Sequence, residues 1–306
     1  MKIGVIVPQG WTSEYAGVAP ADAWQRSLEI ARRAERAGAD SLWLFDHMHT
    51  TPEPVDELTF ESFTMLTALA TATSRVELGH IVSCAAYRNP GLQAKMLATM
   101  DVISGGRMTA GIGAGWKREE WEAYGYEFPP TSVRMERLED SLQILTRMLA
   151  PGDGHATYEG GQAAVRDAIN LPKPLRPMPI MVGGNGRERT WRLAARYADE
   201  LNLDNMAIED MPEALEVIAQ RCEEIDRDPA TLRVSVHLWW EGVESAPSPR
   251  DLLAAYAETG IARVMTLVRR AARDPDAVEE LLDAARDAGC DLGQVDASAQ
   301  PGVAAA

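Results

Sequence analysis

The sequence predicts a parallel (β/α)8 barrel of the α/β class, a TIM barrel, on three observations. Eight short aliphatic stretches alternate with helical ones along nearly all of the 306 residues. The first of them, Lys2 to Val7, is aliphatic and alternates little, as expected of a strand buried on both faces. Late in the series, Met178 to Asp204 runs from a short apolar stretch into Gly183, Gly184, Asn185 and Gly186, then into a helical stripe starting at Trp191. Strand, permissive turn and helix in that order point free backbone amides at an anion, with Arg187 and Arg189 adding charge.

In chain order, Lys2 to Val7 is the first strand, ended by Pro8, Gln9 and Gly10. Trp24, Leu28, Ala31 and Ala34 recur at helical spacing, and Gly38 stands where a C-cap belongs. Ser41 to Phe45 is the second strand, closed by Asp46, His47, Met48 and His49, and Phe63, Leu66, Leu69 and Ala70 mark the helix after it. Val76 to Ser83 reads as the third strand. Pro90 opens a helix carrying Leu92, Met96, Met100 and Ile103, which Gly105 and Gly106 stop. Arg107 to Ile112 is the fourth strand and leads through Gly113, Ala114 and Gly115 to Trp116. A short helix and loop follow, then a helix striped by Leu138, Leu142, Leu145 and Leu149.

Residues 151–179 are rich in Pro and Gly and form an excursion, an insertion before strand five, with a hairpin around Ala156 to Tyr158 and Ala164 to Asn170. Pro179 to Val182 is strand five and Glu200 to Leu203 strand six. Asp210 and Glu213 have the spacing of a capping box for a helix burying Met211, Leu215, Ile218, Cys222 and Ile225. Arg233 to Leu238 is strand seven, Ser248 and Asp251 cap the helix of Leu252 and Tyr256, and Arg263 to Leu267 is strand eight. Asp274 with Pro275 starts the last helix. The expectation is one barrel domain over 1–290 and a loose tail over 291–306.

A net charge of −16 argues against nucleic acid or an anionic membrane as partner, because both would repel the chain. Cys84, Cys222 and Cys290 are too few and too scattered for a disulfide framework, and no His or Cys cluster has metal spacing. The apolar run at the amino terminus is too short for a signal peptide. These features suit a cytoplasmic protein with a small-molecule substrate.

A barrel places its site at the carboxyl ends of the strands. Gln9, Asp46, His47, Ser83, Cys84, Gly113, Ala114, Gly115, Trp116, Gly183 to Gly186, Asp204, Trp239 and Trp240 therefore share one mouth. His47 follows a strand directly beside a carboxylate and is the candidate proton donor or acceptor. His80, inside a strand, reads as packed, and His49 as a weaker candidate. Ser83 and Cys84 lack an adjacent base. Trp11, Trp116, Trp239 and Trp240 offer an aromatic wall, and Gln9, Trp11 and Trp239 the substrate pocket. A Schiff-base lysine has no candidate among Lys2, Lys95, Lys117 and Lys173, since none lies inside a strand's carboxyl end.

FDH at Phe45 to His47, LGHIVS at Leu78 to Ser83, RNP at Arg88 to Pro90, DVISGGRMTAGIGAGW at Asp101 to Trp116 and MVGGNG at Met181 to Gly186 together resemble the luciferase-like monooxygenase superfamily. Within it the chain is more similar to the oxidoreductases that use the deazaflavin coenzyme F420. The resemblance implies a dimeric barrel holding F420 or FMN at its mouth, with a non-prolyl cis peptide in the third strand, here Ile81 to Val82, behind the ring. It also implies a phosphate contact at Gly183 to Gly186, cofactor contacts at Ile81, Val82, Ser83 and Gly113 to Trp116, and catalytic roles for Asp46 and His47. One departure stands out: where some F420 dehydrogenases carry a glutamate after the glycine run, this chain has Trp116. The function expected is hydride transfer between F420 and a small organic substrate. The alternatives are an FMN-dependent monooxygenase fed by a separate reductase, and a barrel that binds such a cofactor without catalysis.

Overall fold

The computed structural model describes residues 1–239 and 242–293; Trp240 and tail residues 294–306, on which two expectations fall, lie outside the described residues. The strands are β1 (Lys2–Ile6), β2 (Ser41–Leu44), β3 (Glu77–His80), β4 (Ser83–Cys84), β5 (Met108–Gly113), β6 (His155–Glu159), β7 (Ala164–Ile169), β8 (Ile180–Gly183), β9 (Glu200–Asp204), β10 (Arg233–Leu238) and β11 (Arg263–Leu267). The helices are α1 (Pro20–Ala37), α2 (Ser62–Ala72), α3 (Pro90–Ser104), α4 (Arg118–Ala123), α5 (Thr131–Leu149), α6 (Thr190–Tyr197), α7 (Met211–Glu223), α8 (Pro249–Glu258) and α9 (Ala277–Asp287). Parallel pairing runs β3-β2-β1-β11-β10-β9-β8-β5 and closes through β3 against β5, with Leu78 opposite Met108. The expected closed eight-stranded barrel is the observed one. Outside it, β6 and β7 pair antiparallel between α5 and β8.

The third strand is not continuous. A cis peptide between Ile81 and Val82 divides it into β3 and β4, and both pieces pair with β5. Three local expectations fail for identifiable reasons. Asp210 makes no capping bond, because it ends a 3-10 turn with helical φ and ψ instead of the extended N-cap conformation; Glu213 pairs with Arg187, and α7 starts at Met211 with Pro212 in its first turn. Ala214, not Ile225, shares its buried face with Met211, Ile218 and Cys222. In α3, Leu92 and Ile103 are exposed, and the helix packs through Gln93, Ala94, Leu97 and Ala98. That helix is apolar around much of its circumference, so its sequence carries no single stripe. The segment after α9 is tied down at its start: Asp291 bridges to Lys2, and the Gly293 amide bonds the Gly38 carbonyl.

Trp43 fills the lumen. It stands opposite Gly79 in the register, and a Cβ on Gly79 would lie 2.3 Å from its ring. A Cβ on Gly4, across the lumen wall, would lie 2.7 Å from its Nε1. Below it, at the amino-terminal end, the buried Arg263 guanidinium reaches Glu77 at 2.7 Å and Asp40 at 2.8 Å. Burial works against the charge on Arg263, but the surrounding carboxylates, Glu200 first, hold its pKa above the usual value. The floor of the barrel is thus sealed by an aromatic plug over an ion cluster, leaving the carboxyl end for chemistry.

Replacing Gly79 with Ala forces a methyl into the Trp43 ring. We expect a loss of about 1–3 kcal/mol in stability, read as a lower urea midpoint at unchanged slope; an unchanged midpoint would show slack in the lumen.

Candidate active site

At the carboxyl ends of the strands lies a cavity of about 280 Å³. Its back wall is Val82, whose side chain is wedged between two glycines on the neighbouring strands. A Cβ on Gly113 would sit 2.7 Å from one Val82 methyl, and a Cβ on Gly183 would sit 2.8 Å from the other. These two glycines are therefore required by the wedge, which brings β5 and β8 close behind the cavity.

His47 leaves β2 and lines the cavity beside Trp11, whose ring it stacks on at 4.5 Å and 7°. Its Nδ1 is 2.8 Å from an oxygen of Glu120, a residue of the short helix α4. Glu120 is fully buried and also accepts from the Met48 amide at 2.6 Å, the His49 amide at 3.2 Å and the Tyr87 hydroxyl at 2.8 Å. Burial alone would raise its pKa, but His47 and the other donors outweigh burial and pull it down to about 2. With Nδ1 held, Nε2 is the imidazole nitrogen left for a ligand.

Asp46, beside it, also lines the cavity but is held in an ion pair. Arg88 grips both of its oxygens, at 2.7 and 3.0 Å, while Ser62 Oγ and the Cys84 amide supply further donors. Burial opposes the charge, yet the guanidinium holds the carboxyl below its usual range. The pair anchors the β2 and β4 ends.

On the other wall, Asp204 ends β9 and His237 lies on β10. Oδ1 of Asp204 accepts from Trp239 Nε1 at 2.5 Å and lies 3.1 Å from His237 Nε2, and His237 Nδ1 is 2.7 Å from Asn202 Oδ1. Burial raises the Asp204 pKa, but His237 and Trp239 bring it below the ordinary value. Trp11 lies 6.4 Å from Trp239 and Phe45 lies 6.1 Å from His237, so one aromatic wall joins the two polar groups.

The glycine turn differs in detail from its sequence reading. Gly183 belongs to β8, and of the four residues only Gly184 has positive φ, 127°. The Gly184 amide bonds the Asn202 carbonyl, and the Asn185 side chain is committed to the backbone of Asp204. The amides of Asn185, Gly186, Arg187 and Glu188 make no hydrogen bond among the described residues. Thr190, at the start of α6, lines the cavity, and a Cβ on Gly186 would lie 2.6 Å from its Oγ1. Of this turn, Gly183 and Gly184 line the cavity with Thr190, whereas residues 185–188 are exposed beside it, and a side chain at 186 would have to displace the Thr190 hydroxyl. Arg187 is paired with Glu213.

Ile81, Val82, Ser83, Cys84, Ala114, Gly115 and Trp116 also line the cavity. Ser83 donates to the Gly111 carbonyl and accepts from Gln93, and burial pushes the Cys84 thiol up to about 12, so neither is an activated nucleophile. Gln9 does not line the cavity: its amide bonds the Phe60 carbonyl and the Phe45 amide from inside the fold. Lys117, discounted from its place in the sequence, does line it, though its Nζ donates to the Thr50 carbonyl at 2.7 Å. His80 is buried against Phe63, its ring centroid 4.0 Å away, and burial lowers its pKa to about 4. Sequence reasoning missed Glu120, Asn202 and His237. Glu120 sits in a charged helical run that reads as a solvated face, and His237 in a strand that alternates like any other.

Comparison with known proteins places this arrangement. The family model described as luciferase-like monooxygenase matches residues 1–287. An F420-dependent glucose-6-phosphate dehydrogenase of Microbacterium testaceum is 34% identical over 177 residues, 56% of this chain and 50% of the relative. The pyrimidine monooxygenase RutA of Escherichia coli is 28% identical over 207 residues, 65% of this chain and 53% of the relative. Both matches span only about half the relative's length. Among solved structures, an F420-dependent secondary alcohol dehydrogenase in complex with an F420-acetone adduct superposes with a TM-score of 0.74 at 20% identity, covering 92% of this chain and 98% of that one. Among the described residues no helix is long and apolar enough to cross a membrane.

The depressed Glu120 pKa, about 2 against an ordinary 4.5, contributes stability that is present above pH 4.5 and lost as pH falls toward 2. The amount is about 3 kcal/mol. In Glu120→Gln the stability lost between pH 5 and 3 should shrink by roughly one proton's slope, about 1.4 kcal/mol per pH unit at most. Parallel acid limbs in denaturant titrations of the two proteins would refute the assignment.

Proposed function

The chain belongs to the luciferase-like monooxygenase family, and within it we propose an F420-dependent oxidoreductase that passes a hydride between the deazaflavin and a small organic substrate. The observation that carries this reading is the His47–Glu120 pair, an imidazole oriented by a buried carboxylate at the edge of a cavity also lined by Gly183, Gly184 and Thr190. The exposed amides that follow Gly184 and the apolar Val82 wall suit a ligand with an anionic end and a planar ring. The similarity to an F420-dependent glucose-6-phosphate dehydrogenase supports F420 as that ligand.

In this reading the amides of Asn185 to Glu188 and the Thr190 hydroxyl hold the phosphate, at the positive end of α6. Val82, seated by Gly113 and Gly183, backs the ring. Bound F420 supplies a carbon that carries a hydride; the protein supplies position, a dry pocket and a proton path. His47 Nε2 takes a proton from a substrate hydroxyl in the oxidative direction and gives one to a carbonyl in the reductive direction. Glu120 is the positioning residue: it fixes the tautomer through Nδ1 and stabilises the imidazolium. Trp11, Phe45 and Trp239 keep water out. A homodimer served by a separate cofactor reductase belongs to the same proposal.

Titration of the protein with F420 and with FMN, followed by fluorescence, tests it. F420 should bind, and Thr190→Val should weaken it about 3–10-fold, the worth of one hydrogen bond. His47→Asn should cut turnover about 10²–10⁴-fold while F420 affinity changes little. Tight FMN binding without F420 binding would turn the assignment to the oxygen-using alternative that the similarity to a monooxygenase supports. A cofactor-loaded protein inert toward every donor and acceptor would leave a binder.

A further inference from the structure

Asp204 is held more firmly than a loop residue needs, and through one oxygen only. Trp239 Nε1 and His237 Nε2 both meet Oδ1, His237 is braced by Asn202, and Asn202 by Ser235 at 3.0 Å. Oδ2 makes no hydrogen bond among the described residues, although Asp204 lines the cavity and its side chain is 46% exposed. A residue whose task was to hold Trp239 would need one acceptor and no charge; an asparagine would do. The second oxygen is the one left for a ligand.

The other ionisable groups of the wall are already engaged, His237 on Oδ1 of Asp204 itself, which leaves Oδ2 as the free acceptor. Asp46 is neutralised by Arg88, His47 is tied to Glu120, and the Lys117 ammonium donates to the Thr50 carbonyl. Burial and the neighbouring indole and imidazole donors leave Asp204 charged at neutral pH, burial opposing and the donors prevailing. Its surroundings are apolar: Trp11 packs on Phe45 at 4.2 Å, stacks on His47 and meets Trp239. A molecule lying on the Trp11 and Phe45 rings therefore reaches His47 at one end and Asp204 at the other.

We infer that Asp204 anchors the substrate, and that the cavity takes an apolar molecule bearing a hydrogen-bond donor, an amine or a hydroxyl, and turns away anionic ones. The inference rests on the reading of this cavity as the substrate site, but not on the identity of the cofactor. It sets this chain apart from its relative named for glucose 6-phosphate, whose substrate would bring a phosphate to a fixed carboxylate.

Benzylamine, benzyl alcohol and benzoate share one apolar body and differ in the polar group. Calorimetric titration of the full chain at pH 7, with and without F420, should show benzylamine binding at least about tenfold more tightly than benzoate, with benzyl alcohol between. In Asp204→Asn that ratio should fall below about threefold, and in Asp204→Glu, which restores the charge, it should keep its direction. Should Asp204→Asn fail to fold, Asp204→Ser carries the same expectation. Benzoate binding as tightly as benzylamine, no detectable benzylamine binding, or an unchanged ratio in the uncharged variant would each overturn the inference. A protein that discriminates as expected but binds no F420 would overturn the cofactor assignment and leave Asp204 in place.

Discussion

One buried carboxylate holds the mouth of this barrel together. Glu120 gathers an imidazole, two backbone amides and a phenol from the loops after β2 and β4, and it does so from a helix of six residues that has little stability of its own. A charge with no solvent contact persists only where donors surround it, so these segments are fixed relative to one another by the requirement to satisfy it. The same requirement orients His47. Its ring cannot turn without removing a donor from Glu120 and leaving the Trp11 face, so the position of Nε2 is set by the fold before any ligand arrives.

The glycines of the mouth show how packing and binding come to share residues. Gly113 and Gly183 stand where the resemblance implies cofactor contacts, and in the structure each makes room for a methyl of Val82. Packing and ligand contact are compatible uses of the same glycines. At Gly186 the demand is different, since the hydroxyl of Thr190 occupies the space a side chain would take. A run of glycines in the sequence thus resolves into separate reasons, close strand approach at two positions and a neighbouring hydroxyl at another.

The barrel was legible because its signals are distributed. Eight aliphatic runs in alternation with helical stripes survive an error of a residue or two at any boundary, and glycine and proline mark most of the turns. The mouth was legible in outline, since a strand's end fixes which residues face it. Its chemistry was less so. Asp46 and His47 are neighbours in sequence, yet alternate residues of a chain leaving a strand point apart, and Asp46 turns inward to Arg88 while His47 meets a carboxylate 73 positions away. No spacing rule encodes that distance. The capping box at Asp210 failed in the same way: local propensity favoured it, and a long-range ion pair took Glu213.

The distribution of charge constrains how such a protein holds an anion. With a net charge of −16, the surface disfavours anionic ligands. Of the arginines near the glycine turn, Arg187 pairs with Glu213 and Arg221 with Glu188 and Glu224, while Arg189 makes no ion pair among the described residues. The donors at the turn itself are neutral: backbone amides, a hydroxyl and the end of a short helix. Donors of this kind recognise an anion by geometry and only over contact distance, whereas a cluster of cations would draw any anion from solution. Under the two proposals above, a phosphate beside the glycine turn is held by direction and a donor-bearing substrate by the free oxygen of Asp204; because the Asn185 side chain bonds the Asp204 backbone, the two sites adjoin and differ in the electrostatics each offers.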